Sequence, residues 1–500
     1  MPKKMGLMRT LLLVGMGLMI PCYLFTAGNT IFAPWELYSR NRPVLFLLTA
    51  VCFVLLLVLM RAAKHPFFVQ HEREVLVGFA LFYFVVQMAM GAAMRFEPIT
   101  DLEQCYTAGQ LLADTGEFGN LERPFIYFTR YPHNLGLVYL FAGIFRFFGA
   151  LGWHDRFMQA LLVCSALFTL GLLASAGLCR RLGGPVAKTR VLLLFATCLP
   201  FLYCTTELYT DAFSLAFCSI IVYAFVRARG AETARGRVGF ALLFALAAFV
   251  GAQLRATSLI AAIGCLIAVL FDKRFSLTAL LFVPLALVLA VGGSAVDAEN
   301  ARHLGKENIE KYKLPILHYV AMGLPVQVDE GYGQYGEGGW LVFSTSFDDP
   351  EERDAALRQE VIDRVYTVRY PNRLLHMMSR KNLSTFGNGT FQLNEIIEGD
   401  QHEPDNLIKQ VVFWAGRAYP AYYHLTTAMF AAQMLLACAA CVQAIRRRDV
   451  SGAAIFVTLL GAFLLLSMWE TRARYFFQFT MLLQCAGAQY RCRNEGRLTE

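Results

Sequence analysis

Apolar residues fill long stretches of this chain and break off at short polar joints. Runs at 7–27, 43–61, 75–94, 157–179, 190–206, 210–226, 238–254, 257–271, 275–293, 422–445, 452–469 and 475–490 approach or reach the roughly 20 residues that cross a bilayer as a helix. The pattern predicts an α-helical polytopic membrane protein with about twelve transmembrane helices. The first run follows Met1-Pro-Lys-Lys4 and has no small-residue cleavage site after Pro21-Cys22, so it reads as a retained helix, not a signal peptide. A further run, 135–152, is long enough to cross but carries Arg146 and glycines within it.

Charge decides how that run is read. With 135–152 lying in the outer interface, one face receives Lys3, Lys4 and Arg9, then Arg61, Lys64 and Arg73, then Arg180, Arg181, Lys188 and Arg190. Arg227 to Arg237, Lys273 and Arg274, Arg446 to Arg448 and the last arginines fall on the same face. That is the positive-inside pattern, and it predicts cytoplasmic termini and an extracytoplasmic first loop, 95–156, with interfacial helices. A second outer region, 294–420, holds 19 of the chain's 37 acids and is expected to be a mixed extracytoplasmic domain. Within it, Asp349 as N-cap, Pro350 and Glu351-Glu352 predict a helix running towards Tyr370, where Pro371 stops it. The expected division is two N-terminal helices in 1–74, a core in 75–293, the outer domain in 294–420 and C-terminal helices in 421–500.

Composition narrows the class further. The chain is 57% hydrophobic and 16% charged with a net charge of +8, but its cations sit in clusters between apolar runs, which favours a bilayer partner and excludes nucleic acid. Its 13 cysteines lie almost all in or beside apolar runs, so no disulfide framework is implied, and Cys438-Ala-Ala-Cys441 reads as helix packing. No nucleophile elbow, phosphate loop or zinc helix occurs, and no internal repeat is evident. Asn382-Leu-Ser and Asn388-Gly-Thr match glycosylation acceptors.

Candidate chemistry gathers at the outer joints. Thr100-Asp-Leu-Glu103 reads as a capping box opening an amphipathic helix, with Asp101 in the first turn, where the helix dipole favours its ionised form. Asp101 is a candidate base and Glu103 a candidate substrate contact; the pair also has the spacing of two metal ligands, so a divalent metal stays open. Asp101 as a simple helix starter is the plain alternative. Tyr127, Arg130, Tyr131 and His133 crowd a cation, two phenols and an imidazole at headgroup depth, either to hold a phosphate or as an aromatic belt with a snorkelling arginine. Glu207 and Asp211 bracket one outer turn. Arg255, and Glu470 with Arg472 and Arg474, mark two others, where arginines run against the positive-inside rule and suggest an anion. Glu470 and Arg474, four apart, can instead pair with each other. His318 and the Gly-rich stretch 331–340 are candidate sugar or acceptor contacts, or a flexible loop.

In their order along 75–490, these features resemble the GT-C superfamily of integral-membrane glycosyltransferases, which includes protein O-mannosyltransferases and aminoarabinose transferases. The resemblance rests on Asp101 after an early span and on Arg130-Tyr-Pro-His-Asn134 opening a helix that ends Phe147-Phe-Gly149. It continues through Arg180-Arg-Leu-Gly183, Tyr209-Thr-Asp211, Arg255-Ala-Thr-Ser258, His318-Tyr-Val-Ala-Met-Gly-Leu324 and Glu470-Thr-Arg-Ala-Arg-Tyr475. It implies transfer of a sugar from a polyprenyl-phosphate donor to an extracytoplasmic acceptor, usually with inversion. Asp101 would act on the acceptor, Arg130, Arg255, Arg472 and Arg474 on the donor phosphate, and Glu103, Tyr127, Tyr131, His133, Glu207, Asp211, His318 and Glu470 on the substrates. Two additional spans precede the Asp101 segment, and Asp101 lacks the adjacent second acid of some relatives. A transporter or lipid-linked-glycan flippase is the rival reading, favoured by the span count; a non-enzymatic assembly subunit is another.

Overall fold

The structure is a computed structural model that describes residues 6–32, 42–118, 122–271, 275–325, 333–335, 339–398 and 404–491. Every regular element among them is helical. Eight helices are long and apolar enough to cross a membrane: Leu7–Phe32, Arg42–Ala62, Glu72–Ala93, Arg156–Ala196, Thr210–Arg229, Ala234–Leu254, Ser276–Leu304 and Tyr419–Arg446. Ala256–Phe271 and Ala453–Met468 are apolar but shorter. The chain is an integral, multi-pass membrane protein.

The expected count of twelve is not confirmed among the described residues: two of the runs form the shorter helices just named, and two more are broken. The long helix that starts at Arg156 reverses at Gly183 and Gly184, where Gly184 takes φ +74°, a conformation only glycine adopts without strain. Its return leg ends at Ala196, after which Pro200 sits in a 3-10 turn, so 190–206 is half helix and half irregular. The run 475–490 is broken into Arg474–Phe477 and Thr480–Ala488.

The run 135–152 forms the helix Leu135–Ala150, which at 1.5 Å per residue is about 24 Å long, short of a bilayer core of about 30 Å. It buries Leu137, Val138, Phe141 and Phe145 against the Thr100–Thr115 helix, whose own buried face is Leu102, Cys105, Tyr106, Gly109 and Leu112. The amphipathic spacing of the first loop is therefore satisfied by packing between two helices. The capping box is not formed: Ile99 is the N-cap, Thr100 is left-handed at φ 51°, and no side chain caps the helix.

Within 294–420 the described residues form helices and loops without strands, so the mixed character expected there is absent from them. Asp349 does cap its helix, accepting from the Glu351 backbone N–H; that helix ends at Val368 and Pro371 opens the next, Pro371–Phe386. Small clusters around Leu357 and Trp340, and around Leu324 and Met377, hold this region together. The cysteines of the described residues are all free. Cys438 and Cys441 are buried in the Tyr419–Arg446 helix, with Cys441 against the Met16 carbonyl.

Candidate functional site

Helix ends from distant parts of the chain meet around two aspartates. Asp101 stands in the first turn of Thr100–Thr115, and Asp211 in the first turn of Thr210–Arg229. Tyr209 lies between them in space. Its hydroxyl donates to Asp101 Oδ2 at 3.4 Å and accepts from Asn134 Nδ2 at 3.4 Å, while Asn134 also donates to the Tyr127 hydroxyl at 2.6 Å. Asp101 is half-buried, and among the described residues it takes only this one long bond. The residue before it, Thr100, is β-branched and left-handed, a costly backbone state of the kind that collects at functional sites.

Asp211 is held quite differently. It is fully buried, Arg255 Nη1 contacts Oδ1 directly, and Arg474 Nε lies 3.5 Å from Oδ2. Arg255 is placed by the end of the Ala234–Leu254 helix and covers the Tyr475 ring, 4.4 Å from its centroid. Arg474 lies 5.6 Å from the centroid of Tyr209, so the same phenol touches both the Asp101 and the Asp211 groups. Glu470 is buried and accepts from the Tyr475 hydroxyl at 2.8 Å; it does not pair with Arg474, because the chain bends between them and sends each to a separate partner. Arg472 turns away to Glu395, 3.4 Å distant, and the Glu395 carboxylate also accepts from Gln392 Nε2.

Glu207 is not solvated. It is fully buried, with no hydrogen-bond partner on either carboxylate oxygen, and burial followed by the Asp211 charge raises it well above the usual carboxylate range. Burial also raises Glu470. Arg255 and Arg474 both pair with Asp211, and Arg472 pairs with Glu395, so arginines and acids alternate around the site.

Residues of the 294–420 region and the loop after Met468 close one side. Tyr319 stacks on Trp469 at 5.0 Å, its hydroxyl buried without a hydrogen-bond partner, and Asp101 and Glu470 both act on it electrostatically. Lys381, 1% exposed, donates to the Gly323 and Trp469 carbonyls, so it ties the outer helix Pro371–Phe386 to the loop carrying Glu470, Arg472 and Arg474. Burial pushes its ammonium down to about 7. Tyr131 donates to or accepts from Tyr335 at 3.2 Å. Arg130 ends the Glu122–Arg130 helix, half-buried, with its carbonyl accepting from the Leu314 N–H.

Other expectations fall outside this cluster. Glu103, two positions from Asp101 on a helix, points to the opposite side and is exposed, so the acidic pair does not converge as two metal ligands. Among the described residues no group of three metal-ligating side chains occurs. His318 faces the interior of the outer region, bonded to Ser344 at 2.7 Å, and burial with Arg353 pushes it down to about 4. Residues 331, 332 and 336–338 of the Gly-rich stretch lie outside the described residues. Asn382 and Asn388 are both buried, and Asn382 bonds to Asn29 and Thr26, so neither presents a glycosylation acceptor.

Tyr319, Trp469, Lys381 and Glu395 were not singled out as site residues from sequence. Lys381 follows Arg380 in an ordinary polar stretch and reads as a solvated face; nothing local marks it.

Residues 39–490 match the family described as "Conserved hypothetical integral membrane protein". The chain belongs to that family. No curated protein matches it. Among solved structures it is similar to ArnT from Cupriavidus metallidurans, crystallised with undecaprenyl phosphate, at 14% identity over 83% of this chain and 77% of that one. The TM-score is 0.36, too loose a likeness to transfer fold or chemistry.

Proposed function

We propose that the chain is a membrane glycosyltransferase of GT-C type that moves a sugar from a polyprenyl-phosphate donor to an extracytoplasmic acceptor. The observation that carries this reading is the pairing of a half-buried, lightly held carboxylate, Asp101, with two partly buried arginines, Arg255 and Arg474, joined through Tyr209.

An inverting transfer asks for these two properties side by side. The acceptor hydroxyl gives its proton to an Asp101 oxygen as its own oxygen bonds to the anomeric carbon. The bond from that carbon to the phosphate oxygen breaks, and the phosphate leaves with the electron pair. Cations placed beforehand, Arg474 and Arg255 together with Arg130, stabilise the charge that develops there. Tyr209 holds Asp101 in position. Asp211 keeps the two arginines aligned, and Tyr127, Tyr131, His133, Glu470 and Tyr319 line the approach. Arg472, tied to Glu395, shapes the loop.

The test is sugar release from a panel of radiolabelled polyprenyl-phosphate sugars by the purified protein in lipid, for wild type and Asp101→Asn. Turnover by wild type and its loss in a folded variant supports the reading. Equal turnover removes Asp101 from the mechanism, and no turnover with any donor and crude acceptor shifts the weight to transport, for which the buried, unpartnered Glu207 would be the first residue to examine.

A further inference from the structure

A cavity of about 620 Å³ lies beside the Asp101–Asp211 cluster, and of its lining the mechanism above uses His133 alone. Its wall is built from the ends of three elements: Pro132 and His133 before the Leu135–Ala150 helix, Gln253 at the end of Ala234–Leu254, and Asp297 and Asn300 near the end of the Phe275–Leu304 helix, with Lys313 closing it from the next segment. Gly136 makes this junction possible, because a Cβ there would come 2.0 Å from the Gln253 carbonyl oxygen. His133 lines the cavity, and desolvation with the charges of Arg255 and Lys313 pushes it down to about 4, so it offers a neutral imidazole there.

Charge gives the cavity two unlike sets of groups. Lys306 and Glu310 on its rim pair with each other at 3.6 Å. That leaves Lys313, whose charge acts on His133, and on a different helix Asp297 three positions before Asn300; Asn300 is itself oriented by the Tyr139 hydroxyl at 2.7 Å. An anionic group suits the first set and hydroxyl or amino groups the second.

Position says how such a ligand arrives. Val238, Leu242, Leu246 and Val250 form an exposed apolar line, four residues apart, that leads along one helix to Gln253. Val283, Leu287 and Val291 do the same along the neighbouring helix towards Asp297. The two helices pack on each other, with Gly292 against the Phe249 ring. The cavity therefore opens where two membrane-facing stripes end, the place where a lipid headgroup meets a lipid tail.

We propose that this cavity binds the headgroup of an anionic, hydroxylated lipid, its phosphate at Lys313 and His133 and its hydroxyl groups at Asp297 and Asn300, with the tail along the two apolar stripes. On the transferase reading, this lipid is the acceptor, delivered to Asp101 past His133. That role rests on the reading above, but lipid binding itself does not.

The experiment measures binding of fluorescent phosphatidylglycerol to the full chain in phosphatidylcholine nanodiscs, for wild type, Lys313→Ala, Asp297→Asn and Lys311→Ala. Lys311 is a nearby surface cation that does not line the cavity and controls for general surface charge. The expected result is about a tenfold loss of affinity in Lys313→Ala, the size of one charge-assisted hydrogen bond, a smaller loss in Asp297→Asn and none in Lys311→Ala. Equal affinity in wild type and Lys313→Ala, or an equal loss in Lys311→Ala, overturns the site. Soluble glycerol phosphate is the second arm: if it displaces the lipid at equimolar concentration, the lipid source is overturned and a soluble phosphate takes its place. Binding that behaves as expected in a protein with no sugar transfer would leave the site standing and sink the transferase reading alone.

Discussion

Asp101 and Asp211 share a local sequence and differ in everything around it. Each follows a threonine, Thr100 and Thr210, in the first turn of a helix, where the helix dipole favours a carboxylate. Asp211 is sealed from solvent and gripped by two arginines. Asp101 is half-buried, holds one long hydrogen bond and is preceded by a strained residue. Two ion pairs fix the Asp211 carboxylate out of contact with solvent, whereas the Asp101 carboxylate keeps surface that a substrate can reach. The difference is between a group that organises the site and a group left able to react.

Breaking the buried member gives the largest effect. Asp211→Ala strands two partly buried guanidinium groups and is expected to destabilise the protein by roughly 3 kcal/mol, read from denaturation in detergent. Asp101→Asn sharpens the contrast from the other side: transfer is expected to fall by about 10²–10⁴-fold while stability changes by less than about 0.5 kcal/mol. Similar stability losses in the two variants would erase the distinction. Glu395→Gln, which weakens a half-buried pair with Arg472, is expected to cost about 1 kcal/mol and to leave Asp101 chemistry intact.

The smallest effect is one of pH. Glu207 is raised in the folded state, so between its unfolded and folded values the folded chain binds the extra proton and stability falls as pH rises. Glu207→Gln, which mimics the protonated acid, is expected to melt higher than wild type at pH 8, with the gap shrinking towards pH 5. A constant gap would mean that Glu207 does not titrate in this range. Lys381 runs the other way, because its folded value of about 7 lies below its unfolded one, and the folded state gains as pH rises from about 7 towards 10. Lys381→Met should remove that gain in the same melting series.

Hydrophobic patterning determined the class of this protein, because a bilayer-length apolar run has few other uses. It also located the amphipathic helix at Asp101, and local sequence located the cap at Asp349 and the polar joints at which Glu207, Asp211, Arg255, Glu470 and Arg474 come together. Length alone could not tell a continuous span from a run broken by Pro200 or reversed at Gly184, since backbone breaks are nearly silent in an apolar average. Partner choice lay further beyond reach. Whether Arg474 meets Glu470, four residues away, or Asp211, more than two hundred away, depends on which helix ends the packing brings together. The same holds for Lys381, whose burial comes from two backbone carbonyls contributed by distant segments. Residue type and spacing set which groups could do chemistry; tertiary packing decided which were spent on structure and which were left free, because desolvation and pairing act through space and not along the chain.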